Sequence, residues 1–180
     1  TQLGEPRHPL YVADETPLVP WVTASSAPHP EDEKLKTVLL RATPAARERL
    51  RTALEAMKSR TAADPRLVTW SSMTGTGTAA DPLVLSYPSY DETIEELLAA
   101  LRGVNAQPVF DWMSWKGSRR YPRGKGLAEA PVADAMRLIT TIERGEHFCD
   151  GTIARAVEDG SLVTAAERIN AALDQPALPN

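Results

Sequence analysis

The chain has 180 residues, 42% of them hydrophobic and 24% charged, with a net charge of −4. This length fits one domain with extensions and can bury a core without staples. The acidic balance argues against bulk electrostatic binding to nucleic acid or anionic membrane, though a local basic patch is compatible with it. Cys149 is the single cysteine, so an intramolecular disulfide is excluded and a structural zinc site is not expected. A reducing compartment fits best. No run approaches the roughly 18–20 apolar residues of a membrane span, and the first residues lack a charged-then-apolar signal pattern. The expectation is a cytoplasmic protein that needs no membrane, metal or cofactor.

Six of the fifteen prolines fall in residues 1–30, at 6, 9, 17, 20, 28 and 30. That density forbids a regular helix and predicts an extended N-terminal arm. Leu10-Tyr-Val12 and Leu18-Val-Pro-Trp21-Val22 are its apolar knots, and an arm of this kind is expected to pack on its own domain or on a partner. Residues 31–175 then read as one helical domain.

Glu31 to Arg41 fits a short helix with Leu35, Val38 and Leu39 on one face, while Thr37–Leu40 equally fits a buried strand. Thr43-Pro44 is a clearer start: a hydroxyl N-cap followed by proline at the first helical position. Leu50, Leu54 and Met57 recur at helical spacing, with Arg47, Glu48, Arg49, Arg51, Glu55 and Lys58 assigned to the solvent side. Leu67–Trp70 and Leu83–Leu85 are β-prone runs that predict a short hairpin with a Gly/Thr tip. Gly75-Thr-Gly77 lacks the Lys-Ser/Thr of a phosphate loop, so an exposed turn is expected. Ser89-Tyr-Asp-Glu92 reads as a capping box before the stripe Ile94, Leu97, Leu98 and Leu101, which Gly103 ends. The acids Asp91, Glu92, Glu95 and Glu96 complement the helix dipole there and are not expected to be catalysts.

Phe110-Asp-Trp-Met-Ser-Trp115 concentrates two of the four tryptophans. Trp112 and Trp115, three apart, share one side of a helical turn that Pro108 opens and Gly117-Ser118 closes. Burial in the core is the plain reading of these rings. Lys116, Arg119, Arg120, Tyr121, Arg123 and Lys125 follow, interleaved with glycines. They form a candidate surface for single-stranded nucleic acid or phosphate, although the spacing matches no named module and a solvated loop is favoured. Pro131 opens a helix carrying Val132, Met136, Ile139 and Ile142 that ends near Gly145. A further helix holds Ile153, Ala154 and Val157 and stops at Gly160, and Thr164 caps a last one with Ile169 and Leu173. About five helices with a short hairpin make a mainly α, compact helical domain.

From Leu67 to Leu173 the order of features resembles the bacterial family DUF6508, a domain of unknown function. The resemblance rests on Tyr87-Pro-Ser-Tyr90, the aromatic stretch, Leu138-Ile-Thr-Thr-Ile-Glu-Arg144, His147-Phe-Cys-Asp-Gly151 and Glu158-Asp-Gly160. Where the family pattern reads R-x-D-R-F-x-E-G, this chain has His147 at the second Arg and Asp150 at the Glu. The resemblance implies a recurrent module with a shared pocket and assigns no activity.

Glu143, Arg144, Glu146, His147, Cys149 and Asp150 gather at one helix junction. The leading reading is a non-catalytic interaction or small-ligand-binding module. In it Trp112 and Trp115 wall a pocket with Arg144, His147 and Asp150 at its mouth, and a protein partner or self-association is expected. The alternatives are a nucleic-acid-associated protein using residues 115–125, and an enzyme built on His147, Cys149 and Asp150. For the last, His147 and Cys149 point apart on a helix and need an irregular turn to converge. The plain reading makes Cys149 a small buried residue, Asp150 a helix cap, and His147 or Arg144 a partner for a carboxylate.

Overall fold

The computed structural model describes residues 30–63 and 66–174. The expected arm therefore lies almost wholly outside the described residues. Six α-helices occur among the described residues: α1 (Pro30–Leu40), α2 (Pro44–Ala63), α3 (Glu92–Gly103), α4 (Val132–Glu146), α5 (Thr152–Glu158) and α6 (Ser161–Leu173). Two three-residue strands, β1 (Val68–Trp70) and β2 (Pro88–Tyr90), pair antiparallel between α2 and α3. The chain is mainly helical, as its periodicities require.

The core is continuous. Leu39 of α1, Leu50 and Met57 of α2, Ile94, Leu97 and Leu101 of α3, Met136 and Ile139 of α4, and Leu162 and Ile169 of α6 are all fully covered. Helix α2 packs on α3, and α6 lies against both α2 and α4. The 31–41 ambiguity resolves to a helix. Its polar residues sit three and four apart, and only Leu39 is buried, too thin an apolar run for a core strand.

Arg47 departs from its expected solvent position. Its guanidinium is half-buried and donates to the carbonyls of Ala42 (3.1 Å), Leu40 (2.5 Å) and Leu173 (3.0 Å). A cation at the C-terminal ends of α1 and α6 satisfies carbonyls that have no helical partner. On α4, Asp134 is 8% exposed. It pairs with Arg137 at 3.2 Å, and Arg137 reaches Asp32 of α1 at 2.7 Å.

The hairpin forms in a different register from the expected one. β1 pairs with Pro88–Tyr90 (Val68 opposite Tyr90, Trp70 opposite Pro88), and the 83–85 run contributes only the bridge between Val84 and Thr74. Pro88 has no N–H to give a ladder and is tolerated in a strand at the edge. Because the ladder holds Ser89 and Tyr90 extended, the capping box moves. Asp91, not Ser89, is the N-cap of α3, accepting from the Thr93 amide at 3.0 Å. The same helix ends at Gly103, as expected, but the left-handed residue of its cap lies two positions further on. Asn105 takes the left-handed turn (φ 58°), and the Ala106 amide returns to the Leu101 carbonyl at 3.0 Å, the pattern of a Schellman cap. Helix α6 likewise starts at Ser161, three residues before the expected Thr164, with Asp159 accepting from the Ser161 amide at 2.9 Å.

The expected helix through Phe110–Trp115 is absent. Residues 109–116 run as a loop with a turn closed by Asp111, whose carboxylate accepts from the Ser114 hydroxyl at 2.6 Å. Asp and Ser side chains that bond nearby backbone and one another compete with helix formation. The first regular structure after it is a short 3₁₀ turn at Gly117–Arg120.

Candidate functional site

Helix α4 turns into α5 through His147–Gly151, and the residue that fixes this turn is Glu146. Its carboxylate stands at the C-terminal end of α4, the unfavourable end of that helix's dipole. It is delivered to the N-terminal end of α5, where it accepts from the Gly151 amide (3.0 Å) and the Ile153 amide (2.8 Å). The Tyr90 hydroxyl donates to it at 2.5 Å. Burial pushes the Glu146 carboxyl up, but the bonds from Tyr90, Ile153 and Gly151 outweigh burial and hold it below the ordinary range. Burial, then the bond to Glu146, pushes the Tyr90 phenol far above its ordinary value. Asp150 was expected to cap α5. It is exposed, the N-cap position is Gly151 with φ 87°, and the capping function passes to Glu146.

Gly151 is also a contact. A Cβ there would meet the Trp70 ring at 2.6 Å, so the hairpin's tryptophan lies directly over the helix junction. Only glycine tolerates both the left-handed backbone and that approach.

Beside the junction, a cleft of about 540 Å³ is lined by Tyr90, Glu95, Leu98, Arg102, Gln107, Glu143, Arg144, Glu146, His147 and Ile153. Arg102 pairs with Glu143 at 2.5 Å. Burial raises the Glu143 carboxyl above its ordinary range despite the opposing Arg102, Gln107 and His147. Gln107 lies close enough to influence that carboxyl, yet its covered Nε2 completes no hydrogen bond. A buried donor without an acceptor costs about 1–3 kcal/mol.

Of the expected pocket residues, the structure brings Arg144 and His147 to this cleft, and not Trp112, Trp115 or Asp150. Trp112 packs on exposed Phe148 of the junction, with ring centroids 5.7 Å apart. Trp115 stands edge-on to Phe110 at 5.9 Å and packs against the core, its indole pressed so close to Gly117 that a Cβ there would lie 2.1 Å from the ring. The aromatic centre is thus divided between core and surface. Cys149 is exposed, contrary to its expected burial. His147, Cys149 and Asp150 are all exposed, and the side chains of these three form no hydrogen bond with one another. Among the described residues no cluster of three metal-ligating side chains occurs, and no helix is long and apolar enough to cross a membrane.

The basic segment also divides. Tyr121 turns inward and donates to Asp134 at 2.6 Å. Lys116, Arg119, Arg120, Arg123 and Lys125 are exposed. Sequence reasoning missed Gln107, the place of Tyr90 on Glu146 and the Trp70–Gly151 contact. Each joins distant segments, and only the Tyr87–Tyr90 match hinted at one of them.

A mainly helical domain with a two-stranded hairpin laid over a helix junction is the class this geometry defines. Within it, the chain belongs to the family of unknown function DUF6508, which matches residues 45–175. The family unit therefore includes α2, upstream of the Leu67 start that the motifs marked. No curated protein and no solved structure matches the chain.

Proposed function

We propose that this domain is a non-catalytic interaction module that associates with a second copy of itself through the hairpin. The observation that carries the reading is an exposed, apolar and almost uncharged hairpin surface. From Leu67 to Tyr90 the only charged residue is Asp81, while Trp70, Met73, Leu83, Val84, Leu85 and Tyr87 expose 47–66% of their surface. Single strands at an edge are ordinarily protected by lysine, by charge or by cover, and contiguous exposed apolar residues mark contact surfaces. A free edge is self-complementary under a two-fold axis, which favours an identical partner. Phe148 (76% exposed) and Met113 (75%) extend the apolar character around the junction that Trp70 covers.

Sedimentation velocity of the purified chain and of Leu85→Glu tests this. The expected result is a dimer for the parent and a monomer with unchanged helical circular dichroism for the variant. A parent that remains monomeric at about 100 μM, a concentration at which even a micromolar association is complete, would overturn it.

A second reading is favoured by Gln107. A covered amide nitrogen that completes no hydrogen bond, beside the Glu143 carboxylate and on a cleft with Arg144 and His147 on its wall, supports a small ligand that brings a further acceptor oxygen. This reading concerns a different surface and stands independently of association.

A further inference from the structure

A cleft of about 290 Å³ lies between the 3₁₀ segment and helices α4 and α5. Three arginines line it: Arg119 and Arg123 from the basic segment, and Arg155 from α5. Asp159 is its one carboxylate, and that group is already engaged with the Ser161 amide at 2.9 Å. These three guanidinium groups take part in none of the hydrogen bonds or salt bridges found among the described residues.

The backbone holds the arrangement in place. Arg123 has φ 55°, the left-handed region that ordinary side chains avoid. Gly124, next to it, is pressed onto α6 so closely that a Cβ would lie 3.1 Å from Thr164 and 3.2 Å from the Ser161 backbone. That contact fixes where Arg123 leaves the chain. Such local strain persists only when the surroundings over-determine it, and it concentrates at binding sites.

From the cavity and its three guanidinium groups set against a single carboxylate we infer that the cleft binds a small phosphate-bearing anion, a phosphate monoester or pyrophosphate. Guanidinium forks match phosphate oxygens in geometry and keep their charge at every physiological pH. The volume equals about ten waters, enough for a small oxyanion. Lys116, Arg120 and Lys125 do not line the cleft, so the cleft draws on only part of the basic segment. The site recruits Arg155 from outside that segment.

The test is isothermal titration calorimetry of the full chain with inorganic pyrophosphate at low ionic strength, repeated with an oligothymidylate series. Arg123→Ala and Arg155→Ala are the site variants, and Arg120→Ala is the control from the same segment. Saturable one-to-one binding of pyrophosphate is expected. Each site variant weakens it at least about tenfold through loss of charge-assisted bonds, and the control leaves it unchanged. No binding, or equal weakening by Arg120→Ala, overturns the inference. Oligonucleotide affinity that grows with length and falls equally in all three variants also overturns it, in favour of a diffuse nucleic-acid surface.

Discussion

The Tyr90 hydroxyl donates to the Glu146 carboxylate at 2.5 Å, and through this bond the end of the hairpin is tied to the turn between α4 and α5. Glu146 also holds the Gly151 and Ile153 amides, so one side chain joins the hairpin and two helices. Glu146→Gln is expected to cost about 2 kcal/mol, the sum of a lost cap and a weakened charged hydrogen bond. Tyr90→Phe should cost about 1 kcal/mol, and the double variant less than the two added together, because they share the bond. Chemical denaturation of the four proteins measures this cycle.

The same carboxylate gives stability a pH dependence. Its folded-state pKa lies below the ordinary 4.5, so the unfolded chain binds the proton more readily. Its stabilisation is present above that ordinary value and is lost as pH falls through the folded one. Glu143, whose carboxyl is raised by burial, acts in the opposite sense: its charge is a cost at neutral pH that eases on acidification. Melting temperatures between about pH 7 and pH 3, the range that spans carboxylate titration, should fall more steeply below the ordinary carboxylate value for the parent than for Glu146→Gln. Parallel curves would show that Glu146 contributes no linkage.

Gly151 and Gly160 separate backbone strain from contact. Both have left-handed backbones (φ 87° and 78°), but a Cβ at Gly151 strikes Trp70 while one at Gly160 meets nothing within 4 Å. Alanine at either position should cost about 1–3 kcal/mol for the backbone alone. Gly151→Ala should lose more, and it alone should shift tryptophan fluorescence by displacing the Trp70 ring.

These contacts explain how much of the molecule was legible. Helices α2, α3 and α4 announce themselves through apolar spacing, α2 also through its Thr-Pro start and α4 through its Pro start, and their inward residues are the ones expected. Wherever two segments compete for one residue, local reasoning failed. Ser89 reads as a cap until the strand claims it. Asp150 reads as a cap until Glu146 arrives from the preceding helix. Arg47 reads as solvent-facing until two helix ends need its guanidinium. The Trp112–Trp115 spacing fits a helix, but Asp111 and Ser114 bond each other and close a turn instead. Of the candidate site, Arg144 and His147 were found because they share a short stretch. Gln107 and Arg155 carry no local signal and become visible only when the cleft walls assemble.

Gln107 yields a stability test. If its amide is kept for a ligand, Gln107→Leu removes a covered donor without an acceptor, and the unliganded protein should gain up to about 1–3 kcal/mol. A loss of stability of that size would show that the amide is needed by the fold itself.

The central claim, association through the hairpin, is tested most directly by amide hydrogen exchange of residues 67–90 at increasing protein concentration. The expected result is rapid exchange of the outward-facing strand amides in dilute solution and growing protection as concentration rises, with the α4 core unchanged. Equal and rapid exchange of those amides at every concentration would contradict it.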